Sequence, residues 1–136
     1  MNKIKIGFFT GWRCEYGLSV SLLKQLDSDT NIHLLIYPNG LHLLDKFGHT
    51  VDEIERDGFT IGEKINTYSE IGDEKVFELT NSINNIYKVL QKANLDGIIV
   101  CGDRIEAYAV ALAAHFSGLP LFHIGGGVIT KGAVDN

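Results

Sequence analysis

Asp103 and Glu106 stand three residues apart where an apolar run stops at a glycine, in Ile98-Ile-Val-Cys-Gly-Asp-Arg-Ile-Glu106. A carboxylate above the end of a buried strand can move a proton or bind sugar hydroxyls. The same spacing suits a helix start, with Asp103 as N-cap and Glu106 three positions on. The two roles can coexist. The chain start repeats the plan, since residues 4–9 are apolar and Thr10-Gly-Trp-Arg-Cys-Glu-Tyr-Gly17 follows. There Arg13 lies beside an expected helix start, where a guanidinium and free backbone N–H groups suit a phosphate. The plainer reading is a surface pair of Arg13 with Glu15. Near the other end, His123 closes a short apolar run and Gly125-Gly-Gly127 follows. Glycines after a strand let backbone approach a ligand closely. A loose loop near a chain end explains the glycines equally well, and a lone His at a strand end is more often a hydrogen-bonded structural residue than a catalyst.

Other chemistry is disfavoured. His33, His42, His49 and His115 have no metal-type spacing, and neither do Cys14 and Cys101, so no metal is expected. Cys101 reads as a small core residue, and Cys14 as an inert thiol in a reducing cytoplasm. Gly11 and Gly17 are too sparse for a dinucleotide fingerprint, so a redox nucleotide is not expected. The 136 residues carry 12 Lys and Arg against 17 Asp and Glu, a net charge of −5. With no basic run or patch, a nucleic-acid surface is not expected. No stretch reads as a membrane span. The apolar start fits a first strand better than a signal peptide.

The elements that must hold these residues alternate. Strands are expected at residues 4–9, 32–37, 60–65, 97–101 and 121–124. Helices are expected at residues 16–26, 51–56, 74–93 and 104–116. Leu18, Leu22, Leu23 and Leu26 give the first helix an apolar face, and Val76, Leu79, Ile83, Ile86 and Leu90 give the third a stripe. Thr50 and Glu53 have capping-box spacing, and Gly58 suits the end of that helix. Ala107, Ala109, Ala111, Ala113 and Ala114 make the last helix slim. Pro38-Asn-Gly40 breaks the chain after the second strand.

This pattern implies one α/β domain over residues 1–136 with an open, parallel, Rossmann-like sheet. Right-handed crossovers favour the strand order 3-2-1-4-5. The first and fourth strands are then neighbours at the switch point, and both charged turns open into one crevice. Arg13 and Asp103 belong at the same edge of the sheet.

Several segments together resemble a known family. They are residues 10–17, Phe47-Gly-His-Thr50 with Glu53-Ile-Glu-Arg-Asp-Gly-Phe59, Gly102-Asp-Arg-Ile-Glu106, and His123-Ile-Gly-Gly-Gly127 with Gly132-Ala-Val-Asp135. In this order they resemble the amino-terminal part of hydrolysing UDP-N-acetylglucosamine 2-epimerases. The resemblance implies the first half of a glycosyltransferase-B fold, the chain being an incomplete amino-terminal domain of a two-domain enzyme. It implies elimination of UDP from a nucleotide sugar, then hydration to N-acetylmannosamine, in sialic-acid-type synthesis, with no cofactor. It puts Asp103 and Asp135 at catalytic carboxylates and Arg13, Gly11, Glu106, His123 and Gly126 at the substrate. The implied partner is a UDP-sugar, in the cytoplasm, with room for a homo-oligomer. Two positions depart from the family pattern: Gly125 and Val128 stand where acidic residues, or a His at the first, are usual. A non-catalytic remnant or a nucleotide-sugar-binding module with the same half-fold is the competing expectation. A flavodoxin-like signalling domain fits the motifs less well.

Overall fold

The alternating pattern folds into parallel strands joined by helices. The structure is a computed structural model that describes residues 2–68, 75–127, 129, 131 and 132. The elements are β1 (Ile4–Thr10), α1 (Arg13–Ser28), β2 (Ile32–Pro38), α2 (Val51–Arg56), α3 (Lys75–Ala93), β3 (Gly97–Cys101), α4 (Ile105–Ser117) and β4 (Leu121–Ile124). Two short 3₁₀ turns, Gly40–Leu43 and Asp45–Phe47, fill the stretch before α2. Among the described residues the sheet runs β2-β1-β3-β4, all parallel. The order reverses between β1 and β3, as right-handed crossovers require.

The expected third strand, residues 60–65, does not form a ladder. It makes two isolated parallel bridges outside β2, Ile36 to Ile61 and Asn39 to Ile65. It therefore keeps its expected place, and the order 3-2-1-4-5 is compatible with the structure. Gly62 lies between the bridges, where a Cβ would come within 2.4 Å of the Tyr37 ring. That crowding fits a broken edge better than a regular strand.

Side-chain alternation splits the core in two. Phe9, Leu35, Tyr37, Ile98 and Val100 face α3 and α4, meeting Ile86, Val89, Leu90, Ala109, Val110 and Ala113. Phe8, Leu34, Ile36, Ile99 and Cys101 face α1 and α2, meeting Tyr16, Leu23 and Ile54. Phe9 and Tyr37 are paired in register and their rings stack at 4.5 Å.

Some local expectations change. Helix α1 starts at Arg13, a turn earlier than the leucine pattern indicates, and buries Glu15, Tyr16, Ser19 and Leu23, while Leu18 is 84% exposed. Val76 at the start of α3 is also exposed, so the buried stripe begins at Leu79. Glu74, the expected first residue of that helix, lies outside the described residues. Gly58 and Gly118 adopt left-handed backbone just where α2 and α4 stop.

Candidate active site

Thr10 ends β1 and Cys101 ends β3 at the same edge of two hydrogen-bonded parallel strands. The turns that follow therefore stand side by side. Arg13 and Asp103 emerge from the same edge, as the topology argument requires.

Between the turns lies a buried carboxylate, the residue that the plainer reading of the sequence paired with a surface Arg13. Glu15 is only 7% exposed. Its Oε2 accepts the Gly11 N–H at 3.1 Å. Its Oε1 is buried with no hydrogen-bond partner among the described residues. Gly102 has φ +86, and a Cβ there would stand 3.1 Å from that same Oε1. Burial pushes the Glu15 carboxyl up to about 7; nearby Glu106 adds to this, while the Gly11 N–H opposes it.

Glu106 is 3% exposed. It fills the space left by two glycines, since a Cβ on Gly11 or Gly40 would lie 2.5 Å or 2.9 Å from its side chain. Arg104 donates to both its oxygens, Nε to Oε2 at 3.2 Å and Nη2 to Oε1 at 3.4 Å. The Tyr68 hydroxyl donates to Oε1 at 3.3 Å. Burial and the Glu106 charge push that phenol up to about 12. The Trp12 ring covers the outer face of the guanidinium, 4.4 Å from ring centre to Cζ. Glu106 thus fixes Arg104, and the Trp12 ring of the β1 turn lies against that guanidinium.

A second buried group supports the first turn. His42 is fully buried, with Nε2 3.0 Å from Thr10 Oγ1 and Nδ1 2.8 Å from Thr50 Oγ1. Burial pushes it down to about 4, so the ring is neutral near pH 7. Nothing in its lone spacing marks it; only the fold brings Thr10 and Thr50 to its two nitrogens.

Asp103, Gly102, His123, Val100, Ala107, Tyr108 and Ala111 line a cavity of about 260 Å³ between the ends of β3 and β4. The His123 Nε2 reaches the Gly102 carbonyl. Gly126 packs on that ring, where a Cβ would come within 2.5 Å. Asp103, His123 and Gly126 are thus gathered on the β3–β4 side, Gly11 and Glu106 on the β1–β3 side. Arg13 is exposed and pairs with Glu53 of α2 at 2.9 Å, not with Glu15. Asp135, like Val128, lies outside the described residues. Among the described residues, no group of three His, Cys, Asp or Glu could hold a metal ion, and no helix is long and apolar enough to cross a membrane.

Both capping expectations are corrected. Arg104, not Asp103, is the N-cap residue of α4, and no side chain caps that helix. Glu106 turns instead to Arg104 and Tyr68. Thr50 caps nothing. Its hydroxyl meets His42, and Glu53 meets Arg13. In each case a tertiary partner replaces the local one.

The fold and crevice define a Rossmann-like α/β domain with its polar residues at the switch point of a parallel sheet. A family model described as UDP-N-acetylglucosamine 2-epimerase matches residues 24–136, and the chain belongs to that family. It is 33% identical over 135 residues to "Polysialic acid biosynthesis protein P7" of Escherichia coli, covering 96% of this chain and 34% of that protein. It is 32% identical over 140 residues to "GDP/UDP-N,N'-diacetylbacillosamine 2-epimerase (hydrolyzing)" of Campylobacter jejuni, covering 100% and 36%. The fold matches the UDP-GlcNAc 2-epimerase of Neisseria meningitidis bound to UDP-GlcNAc, with TM-score 0.81 at 21% identity, over 95% of this chain and 33% of that one. The chain spans about a third of the length of these relatives.

Proposed function

We propose that this chain is the amino-terminal part of a hydrolysing UDP-sugar 2-epimerase, acting on UDP-N-acetylglucosamine or a diacetamido-trideoxy sugar in sialic-acid-type synthesis. The supporting observation is Asp103 at the lip of a cavity backed by His123, beside the Arg13 turn. The reaction needs a base to take the proton from sugar C2 while the C1–O bond to UDP breaks and a C1–C2 double bond forms. Water then adds its oxygen at C1, and a proton returns to C2 on the opposite face. Asp103, exposed and free to approach the sugar, is the acid/base in this reading. Asp135 is a second carboxylate. Arg13 faces the diphosphate or the second domain. Glu106 holds Arg104, Gly11 and Gly126 let backbone and side chains close up, and His123 forms one wall of the sugar pocket.

The second reading, a nucleotide-sugar-binding module without catalysis, is favoured by Gly125. Its φ of +80 suits glycine and strains an acidic side chain at that position.

One experiment separates the two. The complete protein is given UDP-N-acetylglucosamine, and separately the UDP-diacetamido sugar, in D₂O. Deuterium at C2 of a released 2-epimeric sugar, together with free UDP, supports the enzyme. Saturable binding without UDP release from either sugar supports the module. Absence of both sinks the nucleotide-sugar reading. The 136-residue chain alone is expected to release no UDP above a no-protein control, because two domains must close to orient groups and exclude water.

A further inference from the structure

Two carboxyls and one guanidinium are packed together beneath the crevice. Glu15 and Glu106 are both more than nine-tenths buried. Among the described residues, the Arg104 guanidinium donates only to Glu106. One cation offsets one anion, and a second buried anion with a bare oxygen is costly. The oxygen without a partner, Glu15 Oε1, lies against the Gly102 backbone, in the very turn that carries Asp103. Its sister oxygen is tied to Gly11, in the turn that leads to Arg13.

We propose that Glu15 and Glu106 form a one-proton carboxyl pair, with Glu15 the positioning residue that holds the β1 turn against the β3 turn while it carries the proton. The charged groups facing Glu15 are Glu106 and Arg104, from α4 and the turn before it. The β1 turn supplies only the backbone N–H groups of Gly11 and Trp12. Tyr68 reaches the cluster through Glu106.

The consequence follows from the geometry. When Glu15 loses its proton, it competes with Glu106 for Arg104. The Trp12 ring, anchored in the β1 turn, lies against the Arg104 guanidinium, so a shift of Arg104 changes what that ring packs on. Desolvation places that ionisation near neutrality. What the movement does to a substrate rests on the UDP-sugar reading; the coupling itself does not, and its test needs no substrate.

Trp12 is the sole tryptophan of the chain, so its emission reports on this cluster directly. The 136-residue chain is titrated from pH 5 to 9 with selective tryptophan excitation. The expected result is a single transition with midpoint near 7. In Glu15→Gln, which keeps an oxygen for Gly11 but cannot ionise, emission should stay at its low-pH value with unchanged far-UV circular dichroism. Glu106→Gln should lower the midpoint, because Arg104 is released to Glu15. A flat wild-type profile, or a transition that survives in Glu15→Gln, overturns the proposal. If Glu15→Gln does not fold, the Glu15 carboxyl is followed in the wild type by carbon-13 NMR. A midpoint near 7 sustains the proposal, and one in the ordinary carboxylate range overturns it.

Discussion

Gly11 and Glu106 touch so closely that a methyl group on Gly11 would stand 2.5 Å from the Glu106 Cβ. The contact joins the turn after β1 to the first turn of α4. Because a Cβ is fixed to its backbone, neither residue can rotate away.

Gly11→Ala should therefore cost about 1–3 kcal/mol by overpacking. Gly17 lies inside α1 with nothing within 4 Å of an added Cβ. Gly17→Ala should stabilise by about 0.5–1 kcal/mol, since alanine loses less backbone entropy in a helix. Urea unfolding of the two variants checks both signs. Equal effects would mean that the Gly11–Glu106 contact carries no weight.

The buried titrating groups pull stability in opposite directions with pH. His42 falls from an ordinary 6.5 to about 4 in the fold. Its contribution is complete above 6.5 and is lost as the pH drops through 4, because the folded state resists the proton. Glu15 rises from an ordinary 4.5 to about 7. Its contribution is complete below 4.5 and is lost as the pH rises through 7. Urea midpoints measured from pH 4 to 8 should show Glu15→Gln removing a decline between 4.5 and 7. His42→Asn should flatten the loss on the acid side, from a lower starting stability because Thr10 and Thr50 lose their shared partner. Unchanged slopes in both variants would contradict the burial of these groups.

Asp103→Asn should leave the fold alone. Asp103 is exposed and is not the N-cap residue of α4. A stability change within about 0.5 kcal/mol is expected, as for a plain surface site. If the complete protein is active, the same change should lower kcat by about 10²–10⁴, the usual worth of a proton-transfer group. Near-parental turnover would move the acid/base role to Asp135.

Arg13→Ala offers a similar separation. Its pair with Glu53 is largely solvated, at 65% and 35% side-chain exposure, and such pairs contribute about 0–1 kcal/mol. Thermal stability should barely change. Affinity of the complete protein for UDP-sugar should fall, and fall less in high salt, where the phosphate attraction is already screened. Unaltered affinity at low salt would remove Arg13 from the diphosphate.

Much of the fold was legible because it depends on local periodicity. The runs at residues 97–101 and 121–124 became β3 and β4 with the expected bounds, and residues 51–56 became α2. The switch point followed from handedness alone, and it brought Arg13 and Asp103 to one edge. The helix faces were less legible. Leu18 matches the leucine spacing yet points to solvent, because α1 begins at Arg13 and packs through the face of Glu15, Tyr16, Ser19 and Leu23. Glu106 looked like half of a capping box, and its real partners, Arg104 and Tyr68, include one 38 residues away.

The sequence by itself determined the alternation of strands and helices, the parallel order and the edge where chemistry collects, since apolar period and crossover handedness need no distant contact. It also carried, in its motifs, the resemblance to the 2-epimerases. Only the tertiary structure decided which polar groups are buried and with whom. The Glu15 carboxyl is pushed up because the fold buries it between the β1 and β3 turns and α4 brings Glu106 near it. His42 is neutral because the fold buries it, with Thr10 and Thr50 brought to its two ring nitrogens from the end of β1 and the turn before α2. Desolvation and charge pairing depend on what packs around a group, and that is set by residues far along the chain.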